Sequence, residues 1–159
     1  MTVTTGLLMT LVDALAPPDT AADLGDRAIA DDALRALLVA AQVAPSADNA
    51  QIWRFITVQQ PATRALLAAA VAAPLRDTVA AAPLLIVACG ARFVVSRARR
   101  EQPFAMIDVP IAVTQMLLMA TELGLACSWT LDLDADVVRR ALAIPDDARV
   151  VALLALGHQ

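Results

Sequence analysis

The sequence predicts a single domain of the α+β or α/β class, because strand-like and helix-like segments alternate along its 159 residues. Four short runs have the apolar or alternating character of strands, and the segments between them carry apolar residues at helical spacing. No repeat and no change in composition divides the chain. We therefore expect one domain over residues 1–159, with an N-terminal helix and loop over residues 1–28 and a core over residues 29–157.

The first half of the predicted core contains two helices and two strands. Apolar residues recur at helical spacing over residues 30–44, which predicts a helix with Asp31 as its N-cap. Residues 53–60, WRFITVQQ, alternate in polarity and predict a strand. An alanine-rich segment that starts with a proline predicts a helix over residues 61–73. The continuous apolar run at residues 82–90, APLLIVACG, is typical of a buried strand.

The second half starts with a charged, irregular segment at residues 91–103. The strongest helical pattern follows at residues 104–124, with apolar residues on one face and a glycine at the C-terminal end. A short strand at residues 125–131 and a helix at residues 134–145 come next. The apolar run at residues 148–157 predicts a last buried strand.

The composition disfavours several kinds of chemistry. The chain has no lysine and its one histidine is His158, so a Schiff base, a Ser-His-Asp triad and a His-rich metal site are not expected. If the protein is an enzyme, a bound cofactor would supply its reactive chemistry. The net charge of −4 disfavours a nucleic-acid partner.

The apolar content predicts a subunit interface rather than a membrane span. Hydrophobic residues make up 59% of the chain and its mean hydropathy is +0.66, which exceeds what one small domain should bury. The longest apolar stretch, residues 79–91, is well short of the roughly 20 residues that a spanning helix needs. The N-terminus lacks the positive charge of a signal peptide, and Cys89 and Cys127 lie in apolar surroundings, so we expect a cytoplasmic protein.

Four segments resemble the nitroreductase family in their order and spacing: APSADNAQIWRF, APLLIVACG, DVPIAVTQMLLMATELGLACSW and ALAIPDDARVVALLALG. The resemblance spans about residues 29–157. It implies an α+β three-layer sandwich, with helices on both sides of a mixed, mostly antiparallel sheet, and an intertwined homodimer. It also implies FMN at the subunit interface, NAD(P)H as the hydride donor and a small electron-poor molecule as the acceptor.

The resemblance places flavin-binding positions in a turn, at the start of the long helix, at the end of a strand and in an N-terminal loop. These positions are Pro45, Ser46, Ala47, Asn49, Asp108, Trp129, Thr130, Leu131 and Thr20. The turn would reach the flavin of the other subunit, where neutral hydroxyl and amide groups suit the pyrimidine edge and the ribityl chain. The strand backbone would donate a hydrogen bond near the reactive N5. The resemblance implies no catalytic side chain and no metal.

The residues taken by themselves also allow purely structural roles. Ser46, Asp48 and Asn49 are common turn formers. Asp108 could cap the long helix or interact with its dipole, and Trp129 could be a core residue.

The phosphate-binding part of the family pattern is missing. Asp19 and Ala22 stand where basic residues are expected, and a second basic contribution usually follows the last strand, where this sequence ends in LGHQ. Arg27 or the arginine cluster at residues 97–100 could replace these charges. The alternative is a family member that has lost FMN and serves as a structural or regulatory subunit or binds another ligand. A heterodimer with a flavin-bearing homologue is a third possibility.

Overall fold

The structure of the protein, a computed structural model, describes residues 24–91, 94–95 and 101–158. The predicted N-terminal helix, whose apolar residues span 7–14, lies outside these ranges, as does the predicted site residue Thr20. The arginine cluster at residues 97–100 also lies outside the described residues.

Helices and strands alternate along most of the described chain. In chain order they are α1 (Asp31–Gln42), β1 (Trp53–Val58), α2 (Pro61–Ala68), α3 (Ala73–Ala81), β2 (Leu84–Ala91), β3 (Val94–Val95), β4 (Glu101–Gln102), α4 (Ala105–Glu122), β5 (Leu125–Thr130), α5 (Ala135–Leu142) and β6 (Ala148–His158). The four predicted strands are β1, β2, β5 and β6. The short strands β3 and β4 pair only with each other, inside the segment that was expected to be irregular.

The main sheet has the strand order β1-β2-β6-β5, and each of its three pairings is antiparallel. The prediction was a mixed, mostly antiparallel sheet, whereas the main sheet of the described residues is antiparallel throughout. The strands with continuous apolar sequence, β2 and β6, occupy the centre, and residues 84–90 of β2 are all buried. The outer strands β1 and β5 carry polar residues and are only partly buried.

Helices cover both faces of the sheet, which confirms the predicted three-layer α+β sandwich. Successive side chains of a strand point to opposite faces. Leu85 and Val87 of β2 therefore pack against α2, α3 and α5, whereas Leu84 and Ile86 pack against α1 and α4. The predicted apolar face of α4 lies in this second layer and includes the fully buried Met116.

The N-terminal turn of α4 approaches the sheet closely at Gly90. A Cβ atom added at Gly90 would lie 2.8 Å from the Cβ of Ala105 and 2.9 Å from the Cγ2 of Val109. Such distances are too short for carbon atoms, so the missing side chain allows the helix to pack this low. This packing fixes the height of the helix start above the sheet, where the candidate site lies.

The capping predicted from the sequence can be compared with the structure at two places, the start of α1 and the end of α4. Ala30 occupies the N-cap position of α1 and no side chain caps this helix, so the prediction of Asp31 as N-cap is wrong. Asp31 instead lies in the first turn of the helix, where its negative charge interacts favourably with the helix dipole. Gly124 follows α4 with φ of +66°, the left-handed conformation that its predicted place after the helix requires.

The helix predicted over residues 61–73 is two helices. α2 ends at Ala68, and Val71 forms an isolated β-bridge with Leu133 that interrupts the helical path. Pro74 then lies at the start of α3, a favourable place for proline. The start of α3 is not visible in the sequence, because alanine-rich sequence continues across the break without a change in pattern.

The apolar helix α4 resembles a membrane span in its length and composition. Among the described residues it is the one helix whose length and composition would suffice to cross a membrane, with a mean hydropathy of 1.3 over 18 residues. One face of α4 packs against the sheet and α1. A core helix of a globular domain has the same properties.

Candidate functional site

The turn between α1 and β1 contains four of the predicted site residues. Ser46 is extended and precedes a 3₁₀ turn at Ala47–Asn49. The Oγ atom of Ser46 accepts a hydrogen bond from the backbone N–H of Gln51 at 3.0 Å. The side-chain amide of Gln51 donates to Oδ1 of Asn49 and to the backbone oxygen of Gln42, each at 3.4 Å. The polar side chains of this stretch therefore close the turn on itself.

This turn also has the most unusual backbone conformation of the described chain. The φ angles of Asp48, Asn49 and Gln51 are +52°, +55° and +46°. Residues other than glycine rarely adopt such angles, and each one costs about 1–3 kcal/mol. Pro45 and Asn49 are exposed, whereas Ser46 is half-buried. Strain of this kind persists only where neighbouring contacts hold it, and it is frequent at ligand sites.

Asp108 holds the turn from the side of α4. The helix starts at Ala105, so Asp108 lies in its first turn and is not the N-cap. The Asp108 side chain is only 2% exposed, and its Oδ1 and Oδ2 accept from the backbone N–H of Ala47 at 3.3 and 3.2 Å. The positive end of the helix dipole favours a carboxylate at this place. Nothing in the sequence indicated that these two residues meet.

The remaining predicted residues lie at the end of β5. Trp129 pairs with Leu154 of β6 and packs into the layer that contains α4, so part of its role is core packing. The Oγ1 of Thr130 accepts from the backbone N–H of Asp132 at 3.0 Å, which shapes the chain beyond the strand. Leu131 follows the strand and is 52% exposed. This strand end is therefore accessible to a ligand.

A cavity of 430 Å³ lies beside Leu131. Met106, in the first turn of α4, lines the same cavity. The other lining residues are Leu133, Ala135, Asp136, Arg139, Ala148, Arg149, Val150 and Val151. Arg139 forms an ion pair with Asp146 at this end of the molecule. Met106, Arg139 and Arg149 were not among the predicted site residues, because they come from separate elements that only the fold brings together.

A larger, more open cavity of 690 Å³ lies beside the turn. Its lining combines apolar, aromatic and amide side chains from α1, the turn and β1. These residues are Leu38, Gln42, Val43, Gln51, Trp53, Arg54 and Phe55. Val43 of this lining is 72% exposed.

The start of α4 links the separate parts of the site. The turn reaches it through the hydrogen bond between Ala47 and Asp108, and the strand end reaches it through the cavity that Leu131 shares with Met106. The structure thus brings residues from the turn, α4 and the end of β5 to one end of a single helix. These three segments are the ones that the family resemblance selected.

The two cysteines are unsuited to thiol chemistry. Burial raises the pKa of Cys89 from 9.0 to about 11, despite the opposing effect of the nearby Arg54 guanidinium. Burial raises the pKa of Cys127 from 9.0 to about 12. Both thiols remain protonated at neutral pH, and they lie in different layers of the sandwich.

Arg27, in the segment before α1, and His158, at the end of β6, are a pair of side chains that could bind an anion. The guanidinium of Arg27 lies within hydrogen-bonding distance of Nδ1 of His158. The backbone N–H of His158 donates to the oxygen of Leu24 at 3.0 Å, which ties the end of β6 to the segment that precedes α1. Arg27 was considered as a replacement cation from the sequence, but its contact with His158 was not.

Comparison with known proteins gives the family. A sequence model described as the nitroreductase family matches residues 23–158, which is most of the chain. The chain belongs to the nitroreductase family. The match includes the turn, α4 and the end of β5, and it confirms the resemblance on which the site prediction depends.

Individual nitroreductase relatives agree with this assignment. A protein of Methanothermobacter thermautotrophicus, provisionally named NADH dehydrogenase/NAD(P)H nitroreductase, is 27% identical over 139 residues, covering 84% of this chain and 69% of that protein. The crystal structure of a nitroreductase family protein from Clostridium novyi NT has a TM-score of 0.83 and 26% identity, covering 92% of this chain and 83% of that one. An FMN-dependent nitroreductase from Clostridium difficile R20291 has a TM-score of 0.80 at 21% identity, covering 93% and 87%. The last likeness concerns the fold alone.

Proposed function

We propose that this chain binds FMN and transfers a hydride from NAD(P)H to a small electron-poor acceptor. Membership of the nitroreductase family and the matching fold support an oxidoreductase. The names of the Methanothermobacter relative and of the Clostridium difficile structure favour NAD(P)H and FMN. The observation that carries the proposal is the strained, polar turn that the buried Asp108 holds against α4.

The groups of this turn fit one part of a flavin. The pyrimidine edge and the ribityl chain need hydrogen-bonding partners that stay neutral, and hydroxyl, amide and backbone groups meet that need. In the proposal Pro45, Ser46, Ala47 and Asn49 hold this part of the flavin. Pro45 and Asn49 are exposed at the protein surface, which is consistent with a flavin that lies at a subunit interface.

The end of β5 fits the other part of the flavin. Trp129, Thr130 and Leu131 would orient the ring system through their backbone, since a backbone donor tolerates variation of its side chain. FMN, when bound, supplies the hydride-transfer chemistry. The chain itself binds and orients the ring, and Met106 and Leu131 provide an apolar wall that limits access of water.

The FMN phosphate needs positive charge or backbone donors. Arg27, the replacement cation considered from the sequence, contacts His158 at the far end of β6 from the start of α4, since Arg149 is the β6 residue that pairs with Gly90 beneath that helix. The Arg27–His158 pair therefore adds no positive charge at the start of α4. The acidic and apolar residues at positions 19 and 22 favour the second candidate function, in which the chain has lost FMN and acts as a structural or regulatory subunit or binds another ligand.

The exposed apolar residues support a homodimer. Val39 of α1 is 51% exposed and Ile107 of α4 is 53% exposed, on the two helices that form one outer layer. A second copy could cover this layer, and a homologous chain could do so in a heterodimer. We also propose a cytoplasmic protein that has neither nucleic acid nor membrane as a partner. Its acidic net charge and its buried thiols support this.

The deciding experiment is a flavin titration of the purified protein. A yellow protein, or saturable FMN binding at low micromolar concentration, would support the proposal, and NAD(P)H oxidation with nitroaromatic and quinone acceptors would then test the reaction. Asn49→Ala should weaken FMN binding about tenfold, the effect of one lost hydrogen bond. Gln60→Ala is the matched control, because the exposed Gln60 makes no capping hydrogen bond at α2. If the protein binds none of FMN, FAD and riboflavin, the proposed flavin function fails and the second candidate function remains.

A further inference from the structure

The buried carboxylate of Asp108 needs a physical explanation. Charged side chains are rarely buried unless a partner compensates them, and Asp108 is 2% exposed. Among the described residues no group of three or more His, Cys, Asp or Glu side chains is placed to hold a metal ion. Its hydrogen-bond donor in the structure is the backbone N–H of Ala47, which both oxygens contact.

The donor residue belongs to a turn that needs support from outside. Three residues that follow Ala47 have positive φ angles. Within the turn, the hydrogen bond from the N–H of Gln51 to Ser46 Oγ holds one side. Asp108 anchors the other side to α4, a helix that is packed tightly on the sheet through Gly90. The turn is thereby connected to a helix that packs closely on the sheet.

From these contacts we infer that Asp108 is a positioning residue, which orders the turn for flavin binding without touching the flavin. The inference depends on the proposed function and changes the role of Asp108 from the direct flavin contact expected from the sequence. The carboxylate oxygens of Asp108 accept from the Ala47 N–H on the buried side of the turn. Pro45 and Asn49 are on its exposed side. What matters is then an acceptor oxygen at this place, not the negative charge.

Two substitutions separate the acceptor from the charge. Asp108→Asn keeps an oxygen that accepts from Ala47, whereas Asp108→Ala removes it. Ala47→Pro removes the donor instead, and Ser46 already has the extended conformation that a residue before proline prefers, with φ of −140° and ψ of 158°. If Asp108 acts through Ala47, Ala47→Pro and Asp108→Ala should both accelerate amide exchange in the turn, and combining them should add little to that acceleration. Ala47→Pro should lower stability more, because it leaves the buried carboxylate without its donor.

The test has two readouts. Fluorescence titration gives the FMN affinity, and amide hydrogen exchange gives the local stability of residues 47–51. We expect Asp108→Ala to weaken FMN binding roughly ten- to a hundredfold and to accelerate exchange in the turn. Asp108→Asn should stay within about threefold of the parent chain, because one neutral hydrogen bond remains. Val79→Ala is the stability control, since Val79 is buried on the opposite face of the sheet. It should lower stability without changing turn exchange or FMN affinity.

Each outcome separates this inference from the proposed function. Normal FMN binding and slow turn exchange in a folded Asp108→Ala variant would overturn the positioning role while leaving the proposed function intact. Equal impairment in Asp108→Asn and Asp108→Ala would also overturn it, because the charge would then be the essential feature. If the parent chain binds no flavin, the proposed function fails, and exchange in the turn still decides whether Asp108 orders it. If Asp108→Ala does not fold, Asp108→Asn and Ala47→Pro carry the same comparison.

Discussion

The centre of the sheet and the site at the start of α4 follow opposite rules. Residues 84–90 of β2 are buried, apolar and regular, and they pair with β1 and β6 on both sides. The site contains a buried carboxylate, three non-glycine residues with positive φ and the exposed apolar side chain of Leu131. The first region gains stability from burial, whereas the second keeps polar and strained features that stability alone would not select.

This difference indicates where stability and function are separable. The buried residues that α2 and α3 contribute to the core are not among the predicted site residues, so changes there should affect folding and not binding, whereas α5 also lines the cavity beside Leu131. The layer of α1 and α4 forms the site and the proposed dimer surface. Changes in this layer should affect binding even where their effect on stability is small.

The largest effect is expected from Leu85→Ala in the central strand. Leu85 is fully buried against α2, α3 and α5, and its truncation should lower the free energy of unfolding by about 2–5 kcal/mol. Urea denaturation measures this change, and the FMN affinity of the folded variant should stay the same. Leu66→Ala is the control, because Leu66 is 55% exposed on α2. Equal destabilisation by both changes would contradict a core centred on β2.

The next effect is a loss of stability at alkaline pH from the two buried thiols. Their pKa values are raised from 9.0 to about 11 and about 12, so the folded state favours the protonated thiols. That contribution is complete below pH 9 and is lost as the pH rises through the folded pKa values, at about 1.4 kcal/mol per pH unit for each thiol. Urea denaturation between pH 8 and 11 should show this slope. A Cys89→Ala/Cys127→Ala variant should show a flatter one, and an unchanged slope would argue against burial as the cause.

An intermediate effect is expected from Gly90→Ala, because Gly90 lies where the central sheet meets the start of α4. The added Cβ would push Ala105 and Val109 away from the sheet, at a cost of about 1–3 kcal/mol, and would also shift the helix turn that carries Asp108. FMN affinity should therefore fall together with stability. Gly124→Ala is the comparison, since a Cβ there meets nothing within 4 Å and only the positive φ is unfavourable. If the two alanine variants bind FMN equally well, the height of α4 does not control the site.

The smallest effect on stability is expected from Ser46→Ala. This change removes the acceptor of the Gln51 N–H and should lower the free energy of unfolding by about 0.5–1.5 kcal/mol. Amide exchange at Gln51 should become faster, and FMN affinity should fall. Thr121→Ala removes a hydroxyl that donates to a backbone oxygen within α4. It should change neither amide exchange at Gln51 nor FMN affinity. Unchanged exchange at Gln51 would show that the turn does not need its internal hydrogen bond.

The parts that sequence reasoning predicted correctly are those with a strong local pattern. The four strands and α4 were predicted because continuous or periodic apolar sequence has few other solutions. The break between α2 and α3 was missed because the bridge from Val71 to Leu133 is a contact between distant segments. Asp31 was predicted as the N-cap, but the N-cap is Ala30, one position earlier. Asp31 and Asp32 both suit the positive end of the helix dipole, so their presence does not locate the first residue of the helix.

The sequence by itself determined the alternation of helices and strands, the family and the segments that form the site. Only the tertiary structure decided how those segments meet. It brings Ala47 to Asp108 across 61 positions, Arg27 to His158 across 131 positions, and Met106 beside Leu131 at one cavity. The physical reason is that local propensity and hydrophobic period act over a few neighbouring residues. A buried carboxylate instead depends on whichever backbone N–H the packing of a helix on a sheet brings within reach.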